Sequence, residues 1–67
     1  MNTVEIAQLK EALAVKIGIL DNKIKSGEIV DEIAPELVVI YKEYEQNGTT
    51  LEELKLLMDD VLLALQK

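Results

Sequence analysis

The chain has no cysteine, no histidine, no arginine, no tryptophan and no phenylalanine. Each absence excludes something. Without Cys there is no disulfide and no thiolate metal site. Without His the commonest transition-metal ligand is missing, and so is the side chain that titrates near neutrality. Without Arg there is no bidentate guanidinium to grip a phosphate or a guanine edge. All seven cations are Lys, against 13 acids, giving a net charge of −6. Such a chain is repelled by nucleic acid, and no nucleic-acid partner is expected. Two Tyr are the only aromatics, so an apolar content of 49% is almost entirely aliphatic. A single Pro and three Gly leave few places for the chain to break.

Those absences bear on stability. Sixty-seven residues make one domain, 1–67, and chains this short are marginal on their own. Disulfides and metals are the usual supports, and neither is on offer. Good packing or a partner chain must take their place. No stretch reaches the roughly 18 uninterrupted apolar residues of a spanning helix, so no membrane partner is expected. No basic start leads into an apolar run of the secretory kind. The expected setting is cytoplasmic.

What is present is helical periodicity. Ile6, Leu9, Leu13, Ile17, Leu20 and Ile24 follow one another at spacings of 3, 4, 4, 3 and 4. At 100° per residue they share an arc of about 80°. This predicts a helix over about 3–25. Asn2 or Thr3 would cap it, with Glu5 in capping-box spacing from Asn2. Lys23 and Lys25 suit its negative C-terminal dipole end, and Gly27 suits its termination. A second helix is predicted over about 31–46. Its stripe is Val30, Ile33, Leu37, Ile40, Tyr41 and Tyr44, with Pro35 at the edge of its first turn. A start at Ala34 is the alternative. Both Tyr should pack their rings and point their hydroxyls to solvent. A third helix, about 50–66, follows Asn47-Gly48. Thr49 with Glu52, or Thr50 with Glu53, has the spacing of a capping box. Its inner stripe is Leu51, Leu54, Met58, Val61, Leu62 and Leu65. Leu37–Tyr41 could pass for a strand, but nothing else in the chain could pair with it. Short connections favour antiparallel neighbours. The expected fold is all-α: a three-helix bundle or an open three-helix array, completed by self-association.

Chemistry is harder to assemble. Gly27 and Ile29 stand where a calcium-binding EF-hand loop has its turn glycine and central apolar residue. The first, third and twelfth positions would then be Asn22, Ile24 and Ile33, so calcium is not implied. Ala34-Pro35-Glu36-Leu37-Val38 is comparable with the Ser-Gln-Glu-Leu-Asp of small helical-hairpin phosphatases that act on response-regulator aspartyl phosphates. Here Val38 replaces the terminal Asp on which that activity depends. The acidic pairs Asp31/Glu32, Glu52/Glu53 and Asp59/Asp60 point about 100° apart on a helix and do not converge on one proton or metal. No catalytic residue, cofactor or metal ligand is assigned, and no enzyme is expected.

The remaining signal is surplus apolar surface. Val15 and Ile19, Val38 and Val39, and Leu56 and Leu63 all fall outside the three core stripes. Ala7, Ala14 and Gly18 make a line of small residues that would let another helix come close. These nine residues form the candidate interface. The expected function is a non-enzymatic, acidic protein–protein interaction and oligomerisation module, with a homodimer favoured. A larger protein partner is the other possibility. There the chain would be an acidic regulator or inhibitor occupying a basic site, because Glu28–Gln46 holds six acids and one Lys. A designed bundle without native function is a third reading, but Gly18 and Pro35 inside helices argue against it.

Overall fold

The computed structural model describes residues 2–66, apart from the side chain of Asn2. They form three helices, α1 (Asn2–Lys25), α2 (Ile33–Asn47) and α3 (Leu51–Gln66). No strand occurs among the described residues. All three helix pairs pack together, α1 with α3 most extensively. The fold is therefore the expected all-α three-helix arrangement. Its direction follows from which residues share a cleft. Leu9 and Ala12 meet Leu51 and Lys55, so the N-terminal halves of α1 and α3 lie side by side. Ile33 and Leu37 meet Asp60 and Ala64, so α2 runs against α3. The order is up-down-up.

α1 forms because nothing between Asn2 and Lys25 breaks it except Gly18, which costs about 1 kcal/mol relative to Ala. The helix already includes Thr3, so Thr3 is not its cap. The expected Asn2 side-chain cap lies outside the described residues. Asp21 pairs with Lys25 at 3.0 Å across the last turn. The helix is then closed by its own carbonyls. The Ser26 and Gly27 N–H groups donate to Asn22 and Ile24, and Ile29 N–H donates back to Lys23. Gly27 has φ +83°, the left-handed conformation that glycine adopts without a Cβ penalty. Lys23 Nζ holds Glu28 at 3.0 Å across this turn. The turn pushes Ile29 into the core.

α2 starts two residues later than expected. Ile33 N–H donates to Asp31 Oδ1 at 3.0 Å, and Ala34 N–H reaches the Asp31 carbonyl at 3.3 Å. Pro35 is thus the third helical residue. Its missing N–H is one of those that an α-helix leaves without an internal partner in any case. At the other end Gly48, at φ +84°, donates to the Tyr44 carbonyl. Of the two capping boxes, the chain uses the later one. Thr50 N–H donates to Glu53 Oε1 at 3.0 Å, and Glu53 N–H donates to Thr50 Oγ1 at 3.2 Å. Glu52, expected as one alternative, is left on the surface.

The core draws on all three helices and one loop residue. Leu13, Leu20, Leu54 and Val61 are its fully enclosed large side chains. Ile17, Leu37, Tyr41 and Leu57 complete it, with Ala34, Ala64 and Ile29 filling the narrower gaps. The α1 stripe is as expected, with its outermost members Ile6, Leu9 and Ile24 half-buried. The α2 stripe needs correction. Val30 is 88% exposed and Ile33 is exposed as well, whereas Ala34 and Val38 are buried. On α3, Leu57 and Ala64 are buried, and Leu62 lies at the surface.

Candidate functional site

With the core on one side of each helix, the outward sides can be compared. α1 is the unusual one. Opposite its core stripe lies an arc of about 160° at 100° per residue. Val4, Val15 and Ile19 are its large side chains. Ala7, Ala12, Ala14 and Gly18 are small, and Gln8 and Asn22 are polar. Glu11 and, in the last turn, Lys25 are its two charges, and all eleven residues are exposed. A solvent-facing helix side normally carries charge at most positions. The other charges of α1 are instead displaced to the two borders of this arc, with Lys10 and Asp21 on one side and Glu5, Lys16 and Lys23 on the other.

The expected interface residues are not all brought together. Ala7, Ala14, Val15, Gly18 and Ile19 share the α1 arc. Val39 lies on α2 in a shallow apolar depression with Pro35, Glu36 and Ile40. Leu63 lines the α2–α3 cleft with Ile33, Leu37 and Asp60. Leu56 is exposed on the same side of α3 as Leu63, two turns away. Val38 is a correction. It is only 7% exposed and packs in the core, because the buried face of α2 is Ala34, Leu37, Val38 and Tyr41. Val4, Val30, Ile33 and Leu62 are exposed apolar residues that the stripe assignments had placed in the core or left out. Val4 lies in phase with Val15 on a helix wheel and belongs to the same apolar strip as Ala12 and Ile19.

The elongated shape leaves much of this surface open. Principal extents are 39 × 21 × 15 Å. A compact chain of 7.5 kDa exposes about 4,200 Å² by the usual mass scaling, and this one exposes 4693 Å². A 24-residue helix is about 36 Å long, and α2 and α3, with 15 and 16 residues, are much shorter. The N-terminal turns of α1 therefore project beyond their neighbours.

Charge divides the molecule. α1 holds four Lys and three acids, a net +1, while the rest of the chain holds three Lys and ten acids, a net −7. Two groups have displaced titrations. The cap hydrogen bonds from the Thr50 N–H and hydroxyl hold the Glu53 carboxyl below its usual range. Burial pushes the Tyr41 hydroxyl up, and the neighbouring Glu45 carboxylate, which it hydrogen-bonds, adds to this. The folded chain thus holds the Tyr41 proton more tightly than the unfolded chain does. Its contribution is intact below the ordinary tyrosine value of 10.0 and is lost as pH rises through the raised folded value. Alkaline urea titrations should show wild-type stability falling above about pH 10. The Tyr41→Phe variant should lose that component. An identical alkaline slope in the two proteins would exclude it.

Among the described residues no group of three or more carboxylates is placed to hold a metal ion. No helix there is long and apolar enough to cross a membrane. Comparison with family models, with curated proteins and with solved structures gives no match.

Proposed function

We propose that this chain is a non-enzymatic association module, an acidic three-helix unit that works by packing against other protein chains, most simply a second copy of itself. The observation that carries the reading is the outer face of α1, where Val15 is 61% and Ile19 40% exposed within an arc of eleven residues bearing two charges. Leaving a Val or Ile side chain in water rather than burying it forgoes about 1.5–3 kcal/mol. A cluster of such side chains on one helix side is what an interface supplies, and isolated surface leucines need no such account. The lack of Cys, His and Arg, on which most catalytic and phosphate sites draw, supports a binding role.

A second reading has its own support in the net −7 carried outside α1. In it the chain is a regulator whose α2–α3 surface occupies a basic site on a larger protein. The two readings differ in what salt does. Apolar self-association tolerates added salt, whereas an acidic surface on a basic partner is screened by it. Sedimentation equilibrium across a concentration series is the test. The expected result is a mass of at least two chains at the upper concentrations, retained at high salt. A mass of 7.5 kDa at every concentration would remove self-association and leave the regulator reading.

A further inference from the structure

The structure assigns the second copy a place: resting on the self-association reading, we infer that two chains pair through the outer faces of their α1 helices, antiparallel, about a two-fold axis near Val15 and Lys16. Charge argues for this face. Two chains of net −6 meet at a cost wherever acids face acids, and α2, α3 and their loops together carry −7. α1 carries +1, and five of its seven charges lie at the borders of its apolar arc. An isologous contact through α1 therefore leaves both acidic surfaces pointing away from each other.

Charge also sets the direction. In an antiparallel pair, each border of one helix faces the same border of the other. With the axis between residues 15 and 16, Lys10 of one copy stands level with Asp21 of the other, and the reciprocal pair forms by symmetry. On the opposite border Glu5 comes within about one turn of the second copy's Lys23. Lys16 is the one charged residue that faces its own kind. A parallel pairing would instead set each border against the opposite one, where Asp21 would meet Lys23 but Lys10 would find no acid within a turn.

The same register fits by shape. Ile19 falls opposite Ala12 of the other copy, and Ala14 comes within one residue of the level of Gly18. Nothing within its own chain requires Gly18, since an added Cβ would meet nothing within 4 Å. Its cost to the helix is unexplained unless another backbone approaches there. In this register residues 6–25 overlap over about 30 Å, and a 160° strip of a cylinder about 10 Å wide then offers about 420 Å² per copy. The pair would bury about 800 Å², the size of a weak, reversible contact.

Charge exchange tests the register. Lys10 and Asp21 lie 11 residues apart on one helix, about 16 Å, so they cannot pair within a chain. Lys10→Glu and Asp21→Lys should each weaken dimerisation about tenfold, since each turns two attractions into repulsions. The double variant should restore it to within about threefold. Asp21 also holds Lys25 of its own chain at 3.0 Å, so recovery in the double variant is what assigns the effect to the pair with Lys10. Because the chain has no Cys, Val15→Cys should give a disulfide-linked dimer on mild oxidation, and Leu63→Cys should not. Singles without effect, a double weaker than either single, or preferential cross-linking through Leu63→Cys would each overturn the inference while leaving self-association standing. A mass that keeps rising with concentration, without a plateau at two chains, would overturn it too, because α1 would then be meeting the acidic face of a neighbour head to tail. A wild-type chain that is monomeric throughout removes the earlier reading and this one together.

Discussion

Leu54→Ala should cost this chain about 3–4 kcal/mol and leave it largely unfolded near 40 °C. Leu54 is 0% exposed and sits in the centre of the core. Truncating such a side chain removes its transfer free energy and leaves a cavity whose walls relax only in part. The total stability of a 67-residue chain is about 3–10 kcal/mol at 0.05–0.15 kcal/mol per residue. The substitution therefore takes a third of it or more. In a chain of this size each lost kcal/mol lowers the Tm by about 4–8 °C. Leu56→Ala is the matched control, one helix position removed by two residues and 66% exposed. It should change stability by less than about 0.5 kcal/mol. Thermal melts followed by far-UV circular dichroism separate the two. They must be run at one protein concentration, since association would make the Tm concentration-dependent. Equal melting points for the two variants would mean that Leu54 is not enclosed, and the packing of α3 on α1 described above would be wrong.

The contrast between Leu54 and Leu56 was legible in the sequence. Leu54 lies in the inner stripe of α3, and Leu56 lies two residues away on the opposite side. α1 is legible for the same reason: six large aliphatic residues in phase over 24 outweigh the opposite arc, whose large side chains are only Val4, Val15 and Ile19. The turn at Gly48 and the Thr50 cap were legible as chemistry, although two overlapping boxes could not be ranked without knowing where the helix begins. α2 was read out of phase. Its stripe was anchored on Val30 and Ile33, yet Val30 precedes the helix and Ile33 only begins it. Residues outside a helix carry no information about its face. Discarding them leaves Ala34, Leu37, Val38 and Tyr41 at spacings of 3, 1 and 3, a regular buried side that contains one small residue. Alanine is easily overlooked because it marks a close approach rather than a large buried volume. On α3 the difficulty was the reverse, since leucine recurs on three sides of the helix. There the choice of Leu57 over Leu62 is made by the neighbouring helices. The candidate interface inherits these differences: its α1 members are exposed on one arc, and Val38 lies in the core because the buried face of α2 is shifted.

Proline placement gives the second large effect. Lys42→Pro should destabilise the chain by about 3 kcal/mol or more, whereas Pro35→Ala should change it by less than about 1 kcal/mol. Lys42 is exposed and lies ten residues into α2, so its side chain contributes nothing to the core. A proline there removes a bond to the Val38 carbonyl, and its ring collides with that carbonyl. Pro35, by contrast, is the third residue of α2, where no intrahelical acceptor awaits its N–H. Replacing it restores no lost bond. It also loosens the unfolded chain, which opposes the gain in helix propensity. The sequence left open whether α2 begins before or at this proline, and the pair of variants decides it. A start near Ile33 predicts near-neutrality at Pro35 together with a large loss at Lys42. If α2 continued a full turn further towards Gly27, Pro35 would be an interior residue, and Pro35→Ala would then stabilise the chain by several kcal/mol in urea melts. That outcome would move Ile29 and Asp31 into a helix and dismantle the turn that now seats Ile29 in the core.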